Sequence, residues 1–260
     1  MAVAASHGVP VYTPDRVSVP EVESLLAGLE VDFALAVAFG QILKPSFYQI
    51  PRLGTYNLHF SLLPRWRGAS PVAAAILSAD AESGITLQKI NEGLDTGDLA
   101  AQASFSIEGM NAPRVFAESL AAAIPMLTDF FNDAPGCAAR LVSQNHELAT
   151  LCRKIHKDSG RILPSSTLLE TERKLRAFDP WPGVFLHAGE SRLRLAALSD
   201  LRYEIHANAG ALKRVGKKEL RLYLPDGHAA IARLQREGKR EMAVEDFLNA
   251  CPAEFTWPIE

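Results

Sequence analysis

NLHFSLLPRWRGASPVAAAILSADAESGITLQKINEGLDTGD, residues 57–98, holds a strand–helix–strand pattern and three polar side chains set to converge. It leaves a strand-like segment, GTYNLHF (54–60), in which Asn57 and His59 stand two apart and so project from one face. A turn rich in Pro and Gly follows, from Ser61 to Gly68. Ser70-Pro71 then opens a short apolar helix, with Ser at the cap and Pro at the first helical position. Gly84 to Ile90 is a second strand candidate running into the loop Asn91–Asp98. With a helix between them, the two strands are expected to lie parallel. Both loops would then leave the carboxyl edge of the sheet, where open α/β folds bind ligands. Asp95 would meet Asn57 and His59 there.

An amide, an imidazole and a carboxylate in one place suit acyl transfer to an amine. The amide N–H donates to the oxyanion that develops on the acyl carbonyl. The imidazole handles the proton that the attacking amine loses. The carboxylate fixes the imidazole's tautomer. Asn-x-His alone is a weak signal and reads more readily as a strand-end polar pair satisfied by backbone. The ordered combination Asn57-Leu58-His59, Ser61-Leu62-Leu63-Pro64, Arg67-Gly68 and Leu94-Asp95-Thr96-Gly97 is far more specific.

That combination closely resembles the catalytic core of the folate-dependent formyltransferases. The resemblance implies Asn57, His59 and Asp95 as the catalytic trio and the turn Ser61, Leu62, Leu63, Pro64 as a folate contact. It also implies 10-formyltetrahydrofolate as formyl donor, acting as cosubstrate, with no metal required. The family often carries an acidic residue ahead of the loop Asp; position 91 here is Asn, with Glu92 keeping a carboxylate nearby.

Working outward, 260 residues with 48% hydrophobic side chains suffice for one large or two smaller packed domains. No apolar run of about 18 residues and no basic-then-apolar start indicates a membrane span or signal peptide. Cys137, Cys152 and Cys251 form no C-x-x-C pattern and read as free thiols of a cytoplasmic protein, expected to be a monomer. Charge is uneven. Residues 1–140 carry 8 Lys/Arg against 14 Asp/Glu, a balance of −6, and residues 141–260 carry 19 against 16, a balance of +3. The second half is the one suited to an acidic partner.

Residues 1–8 read as helix stopped at Gly8, Val9 to Tyr12 as a short strand, and Val19 to Leu29 as an amphipathic helix. The apolar run Asp32 to Phe39 reads as a central parallel strand buried on both faces. In the resembled family the loop after it borders the pterin pocket, which makes Phe39, Gly40, Gln41, Ile42 and Leu43 candidate folate contacts. That family also begins with a βαβ unit of ~30 residues or more, without counterpart here; the expectation is an open, mostly parallel, Rossmann-like α/β sheet, N-terminally shortened. A sheet so shortened exposes an apolar edge and favours association. Asn111 to Asn132 reads as a helix with Val115, Phe116, Leu120, Ile124, Leu127 and Phe131 at helical spacing, kinked by Pro125. This first domain spans 1–139 and a linker spans 140–166.

Residues 167–260 open with a helix from Leu168 to Phe178 and the stiff turn Asp179-Pro180-Trp181-Pro182-Gly183, expected to hold the indole against a core. Short β-rich runs follow, at 184–188, 192–197, 210–214, 220–224 and 228–234, with a closing helix at 245–250, as in a small barrel. The segments 176–183, 234–242 and 246–249 resemble the C-terminal, OB-like barrel of the tRNA-formylating branch of the family. The implied acceptor is the α-amino group of initiator methionyl-tRNA, in translation initiation. Arg65, Lys154, Lys157, Lys213, Lys217 and Lys239 become candidate tRNA contacts, among further basic residues that include Arg214 and Arg221. Rival readings are a small amine or amino-sugar nucleotide as acceptor, or a non-catalytic relic that binds folate or RNA.

Overall fold

The computed structural model describes residues 2–189 and 191–260. A short helix, α1 (Ala2–Ser6), ends where Gly8 takes φ +68°, a value glycine adopts without strain. Val9 to Tyr12, expected as a strand, is an exposed stretch without strand pairing. Helix α2 (Pro20–Gly28) starts on its proline and buries none of its residues. Strand β1 (Ala34–Val37), helix α3 (Pro45–Tyr48) and strand β2 (Thr55–His59) follow. β1 and β2 are parallel, with Val37 beside Leu58.

After β2 come a two-residue strand β3 (Arg67–Gly68), helix α4 (Pro71–Leu77), and strands β4 (Glu82–Lys89) and β5 (Leu99–Ser106). The four-stranded sheet has the order β1-β2-β4-β5. Two expectations are corrected here. The run 32–39 is an edge strand, with Val37 and Phe39 44% and 43% exposed, because β2 covers only one side of it. β4 also runs antiparallel to β2, with His59 opposite Thr86 and Asn57 opposite Gln88. The sheet is therefore mixed. The turn after β2 is bonded to β4, the Leu63 N–H donating to the Thr86 hydroxyl oxygen and that hydroxyl donating to the Ser61 carbonyl. The chain therefore enters β4 near the end at which β2 stops, and the two strands run antiparallel.

Helix α5 (Ala112–Asn132) contains Pro125 without ending there. The face it buries is one residue off the expected stripe: Val115, Ser119, Ala123, Met126 and Phe130 are buried, whereas Phe116, Leu120, Ile124 and Phe131 are exposed. Ala123, Met126 and Phe130 pack with Tyr56 and Leu58 of β2, Ile85 and Leu87 of β4, and Ala134. Helix α6 (Ala134–Ala139) is capped by Asp133, whose carboxylate accepts from the Gly136 N–H. A short strand, β6 (Leu151–Cys152), follows.

By its contacts the chain forms two compact units. One comprises the chain up to Arg67, Gly84–Ser104 and Ala122–Leu151; the other comprises Gly68–Ser83, Phe105–Ala121 and Cys152–Glu260. The second holds α7 (Leu168–Ala177), N-capped by Thr167. Its strands are β7 (Val184–Ala188), β8 (Ser191–Arg202), β9 (Ala211–Val215), β10 (Glu219–Leu224), β11 (Gly227–Arg236), β12 (Glu241–Ala243) and β13 (Thr256–Pro258). Between the last two lies α8 (Val244–Leu248). The sheet runs β13-β9-β10-β11-β8-β7 with β12 beside β11. It curls until its ends touch: Ala188 bridges Ile259, and the Glu260 N–H donates to the His187 carbonyl at 3.0 Å. In the turn before β7, Gly183 has φ +76°, and a Cβ there would come within 2.4 Å of Arg194 Nε. Trp181, expected against a core, is 54% exposed. The prolines fix the turn without turning its indole inward.

Candidate active site

β2 ends on Asn57 and His59, and its alternation sends both side chains to the face opposite Tyr56 and Leu58, which enter the core. His59 is 5% exposed. Its Nε2 lies 2.9 Å from the Trp66 carbonyl, and its Nδ1 lies 3.6 Å from Asp95 Oδ1. An acceptor therefore faces each ring nitrogen. The edge of the ring left for a reacting amine is Nδ1, which it shares with Asp95. Asn57 is half-buried, and among the described residues its amide has no side-chain partner. It stands beside the pair as an open N–H donor.

Asp95 reaches this place although β4 runs the unexpected way. From the end of β4 the loop folds back along the sheet, turning on Asp95 itself, at φ 53°. Asn91 Oδ1 accepts from the Gly93 N–H and the Thr96 hydroxyl, which curls the start of the loop. Gly97 lies so close that a Cβ would fall 1.6 Å from the Lys89 carbonyl oxygen. Ala38, Trp66 and Asp95, three of the six described non-glycine residues with positive φ, lie in the loops that follow β1, β2 and β4. Residues held in the left-handed region carry strain that gathers at functional sites.

The structure adds partners that sequence reasoning missed. Gln88 Nε2 donates to Asp95 Oδ1 at 2.8 Å, and Gln144 Nε2 donates to the carbonyls of Asp95 and Gly97 at 3.0 and 2.7 Å. Gln88 leaves a faint signal: Thr86 and Gln88 alternate with Ile85 and Leu87, a polar face on an otherwise buried strand. Gln144 leaves none, since its segment has no periodicity.

The proposed folate contacts divide. Ser61 is buried, its hydroxyl donating to the Arg65 carbonyl at 2.6 Å, and Leu63 is buried as well. The Ser61 carbonyl accepts from the Thr86 hydroxyl, and the Leu63 carbonyl accepts from Gln102. Leu62 and Pro64 of this turn are half-buried. Phe39, Gly40, Gln41 and Ile42 are exposed and Leu43 half-exposed, at the carboxyl end of β1. Because β1 is parallel to β2, this is the edge that carries His59.

Of the basic candidates, Arg65 is exposed and its guanidinium sits 4.5 Å from the Trp66 ring centroid. In the second unit Lys154, Lys157, Lys217 and Lys239 are exposed and Lys213 is half-buried. Two further arginines are not phosphate-facing. Arg221 is turned in, donating to Asp200, Glu219 and His228 Nδ1. Arg214 Nη1 donates to the carbonyls of Leu248, Cys251 and Pro252.

Comparisons with known proteins agree with this architecture. Residues 2–123 match the family described as Formyl transferase, and residues 154–252 match Formyl transferase, C-terminal domain. The methionyl-tRNA formyltransferase of Legionella pneumophila (strain Paris) is 35% identical over 248 residues, covering 95% of this chain and 79% of that protein. Among solved structures, HypX from Aquifex aeolicus in complex with tetrahydrofolic acid superposes with a TM-score of 0.67 at 16% identity over 88% of this chain, which spans 41% of that one. Methionyl-tRNA formyltransferase from Clostridium thermocellum gives 0.61 at 20% identity, covering 74% of this chain and 81% of its own. The two family matches and the likeness to the Legionella protein over 95% of this chain together place this chain in the formyl transferase family.

Proposed function

We propose that this chain transfers the formyl group of 10-formyltetrahydrofolate to the α-amino group of methionyl-initiator tRNA. The observation that carries the reading is the buried His59–Asp95 pair beside the open Asn57 amide. It occurs in a chain 35% identical over 95% of its length to a methionyl-tRNA formyltransferase. The donor supplies an activated formyl group. The amine attacks the formyl carbon, a new C–N bond forms, and the bond to the folate nitrogen breaks. Asn57 donates to the carbonyl oxygen as negative charge develops there. The proton lost by the amine passes by way of His59 Nδ1 and Asp95, ending on the departing folate nitrogen. Trp66, through its carbonyl, and Gln88, through its amide, hold these two groups still. Leu62, Pro64 and the loop Phe39–Leu43 form the folate side, by way of exposed apolar surface and backbone. The curled sheet of the second unit is read as an OB-like barrel. With Arg65, the lysines Lys154, Lys157, Lys213, Lys217 and Lys239 meet the tRNA backbone, a sequence-independent contact. The setting is cytoplasmic translation initiation.

The test is formylation of methionyl-tRNA by the purified chain with 10-formyltetrahydrofolate, beside an amino-sugar nucleotide as rival acceptor. His59→Ala and Asp95→Asn should each lower kcat by about two orders of magnitude or more while sparing folate affinity measured by calorimetry. Near-normal turnover in either variant, or preference for the sugar amine, would overturn the reading.

A further inference from the structure

Gln144 lies in a stretch without regular structure, 49 residues beyond Asp95, and is 5% exposed. Its amide is fully used. Oε1 accepts from Arg67 Nε at 3.2 Å and from Arg67 Nη2 at 2.7 Å. Nε2 donates to the Asp95 and Gly97 carbonyls at 3.0 and 2.7 Å. This orientation is the sole one available, because a guanidinium only donates and a carbonyl only accepts. Arg67 is itself 6% exposed, and its Nη2 also lies 2.9 Å from His146 Nδ1, which must therefore be the accepting nitrogen.

These contacts close a ring. His59 Nε2 bonds to the Trp66 carbonyl; the next residue, Arg67, grips Gln144; Gln144 grips the main chain of Asp95; and Asp95 Oδ1 faces His59 Nδ1. The ring is tied down once more where Thr150 receives the Trp66 N–H on its hydroxyl, at 2.8 Å, and the Arg67 N–H on its carbonyl, at 2.9 Å. We infer that Gln144 is a positioning residue that sets the separation of His59 from Asp95, with Arg67 fixing its orientation. It touches no reacting atom. Gln88 holds the Asp95 carboxylate, whereas Gln144 holds the backbone from which that carboxylate hangs. The inference rests on the proposed function for its kinetic readout but not for its spectroscopic one.

Gln144→Glu is the discriminating variant. The carboxylate keeps the pairing with Arg67 and leaves no charge stranded, yet it turns an oxygen toward two carbonyls that need a donor. The loop must lift. A displacement of about an ångström between reacting groups can cost ~100-fold, so kcat should fall 10- to 100-fold by that measure. KM for the folate and for methionyl-tRNA should change less than about threefold, since uniform binding is untouched. In protein with ¹⁵N-labelled histidine, the His59 ring signals, identified by their loss in His59→Ala, should shift. Gln144→Asn, which keeps the amide but shortens its reach, should shift them as well and decides the matter should the glutamate variant not fold. A folded variant whose His59 signals stay unmoved overturns the inference, whatever happens to kcat. If the wild-type chain does not formylate methionyl-tRNA, the functional reading fails, and the His59 signals still decide the role of Gln144.

Discussion

At the scale of single residues, the meeting of His59 with Asp95 was legible because each part has a local signature. Two polar residues alternate out of an apolar strand, and a carboxylate sits between Leu94 and Thr96-Gly97 in a Gly-rich loop. Their supports were less so. Gln88, 7 positions from Asp95, shows only as part of a polar face on its strand, and Gln144, 49 positions away, is marked by nothing in a one-dimensional string. Tyr56 carries a second lesson. It is 0% exposed, its ring stacks edge-on to Phe130 at 4.7 Å, and its hydroxyl has no partner among the described residues. Burial, with Cys137 nearby as a lesser cause, pushes its phenol above the usual tyrosine range. Removing an unsatisfied buried hydroxyl costs little, so Tyr56→Phe should leave stability unchanged or raise it by up to ~1 kcal/mol, read from the urea midpoint. The native chain keeps the Tyr56 proton at pH values where the unfolded chain has lost it. Wild-type stability should therefore hold below pH ~10 and fall as pH rises from there to the higher native value. Tyr56→Phe should flatten that decline.

At the scale of elements, the sequence located most helices and strands but misread two relations between them. A helix between two strands implies parallel strands, whereas here the turn after β2 is bonded to Thr86 and β4 returns antiparallel. Asp95 still reached His59, because the loop and not the strand direction delivers it. In α5 the apolar residues cover two adjoining faces, and the larger ones at Phe116, Leu120, Ile124 and Phe131 stay outside. Size does not rank the faces: Ala123, Met126 and Phe130 are the α5 residues that pack on Tyr56, Leu58, Ile85 and Leu87 of the sheet. Pro125 is expected to kink this helix or interrupt its ladder, and the helix runs through it over 21 residues. Proline cannot return an N–H to the carbonyl of Ala121, and the division between the two compact units falls immediately after that residue. Pro125→Ala should stabilise the chain by about 1–3 kcal/mol, seen as a higher denaturant midpoint with the far-ultraviolet spectrum preserved.

At the scale of the whole molecule, much apolar surface faces solvent. Ile42 is 91% exposed, Ile124 67%, and Leu120 and Phe131 at least half, alongside the open strand β1. Exposed apolar area of this kind promotes association. Concentration-dependent self-association should appear in sedimentation velocity and weaken in Ile124→Lys, with stability changed by less than about 0.5 kcal/mol. Among the described residues no helix is long and apolar enough to cross a membrane. The two-part plan was legible from composition and motif, since strand-rich runs follow a mixed α/β half. The extent of each part was not. Gln144 and Thr150 lie past the point where the sheet and its helices are complete, yet both bond to the segment that holds His59. This has a bearing on exchange between relatives. A chimera joined at residue 140 would inherit Asn57, His59 and Asp95 from one parent and the clasp around them from the other. Recombination that respects the proposed chemistry has its seam beyond Thr150, so the shortest heritable piece of this candidate site is longer than the domain that displays it.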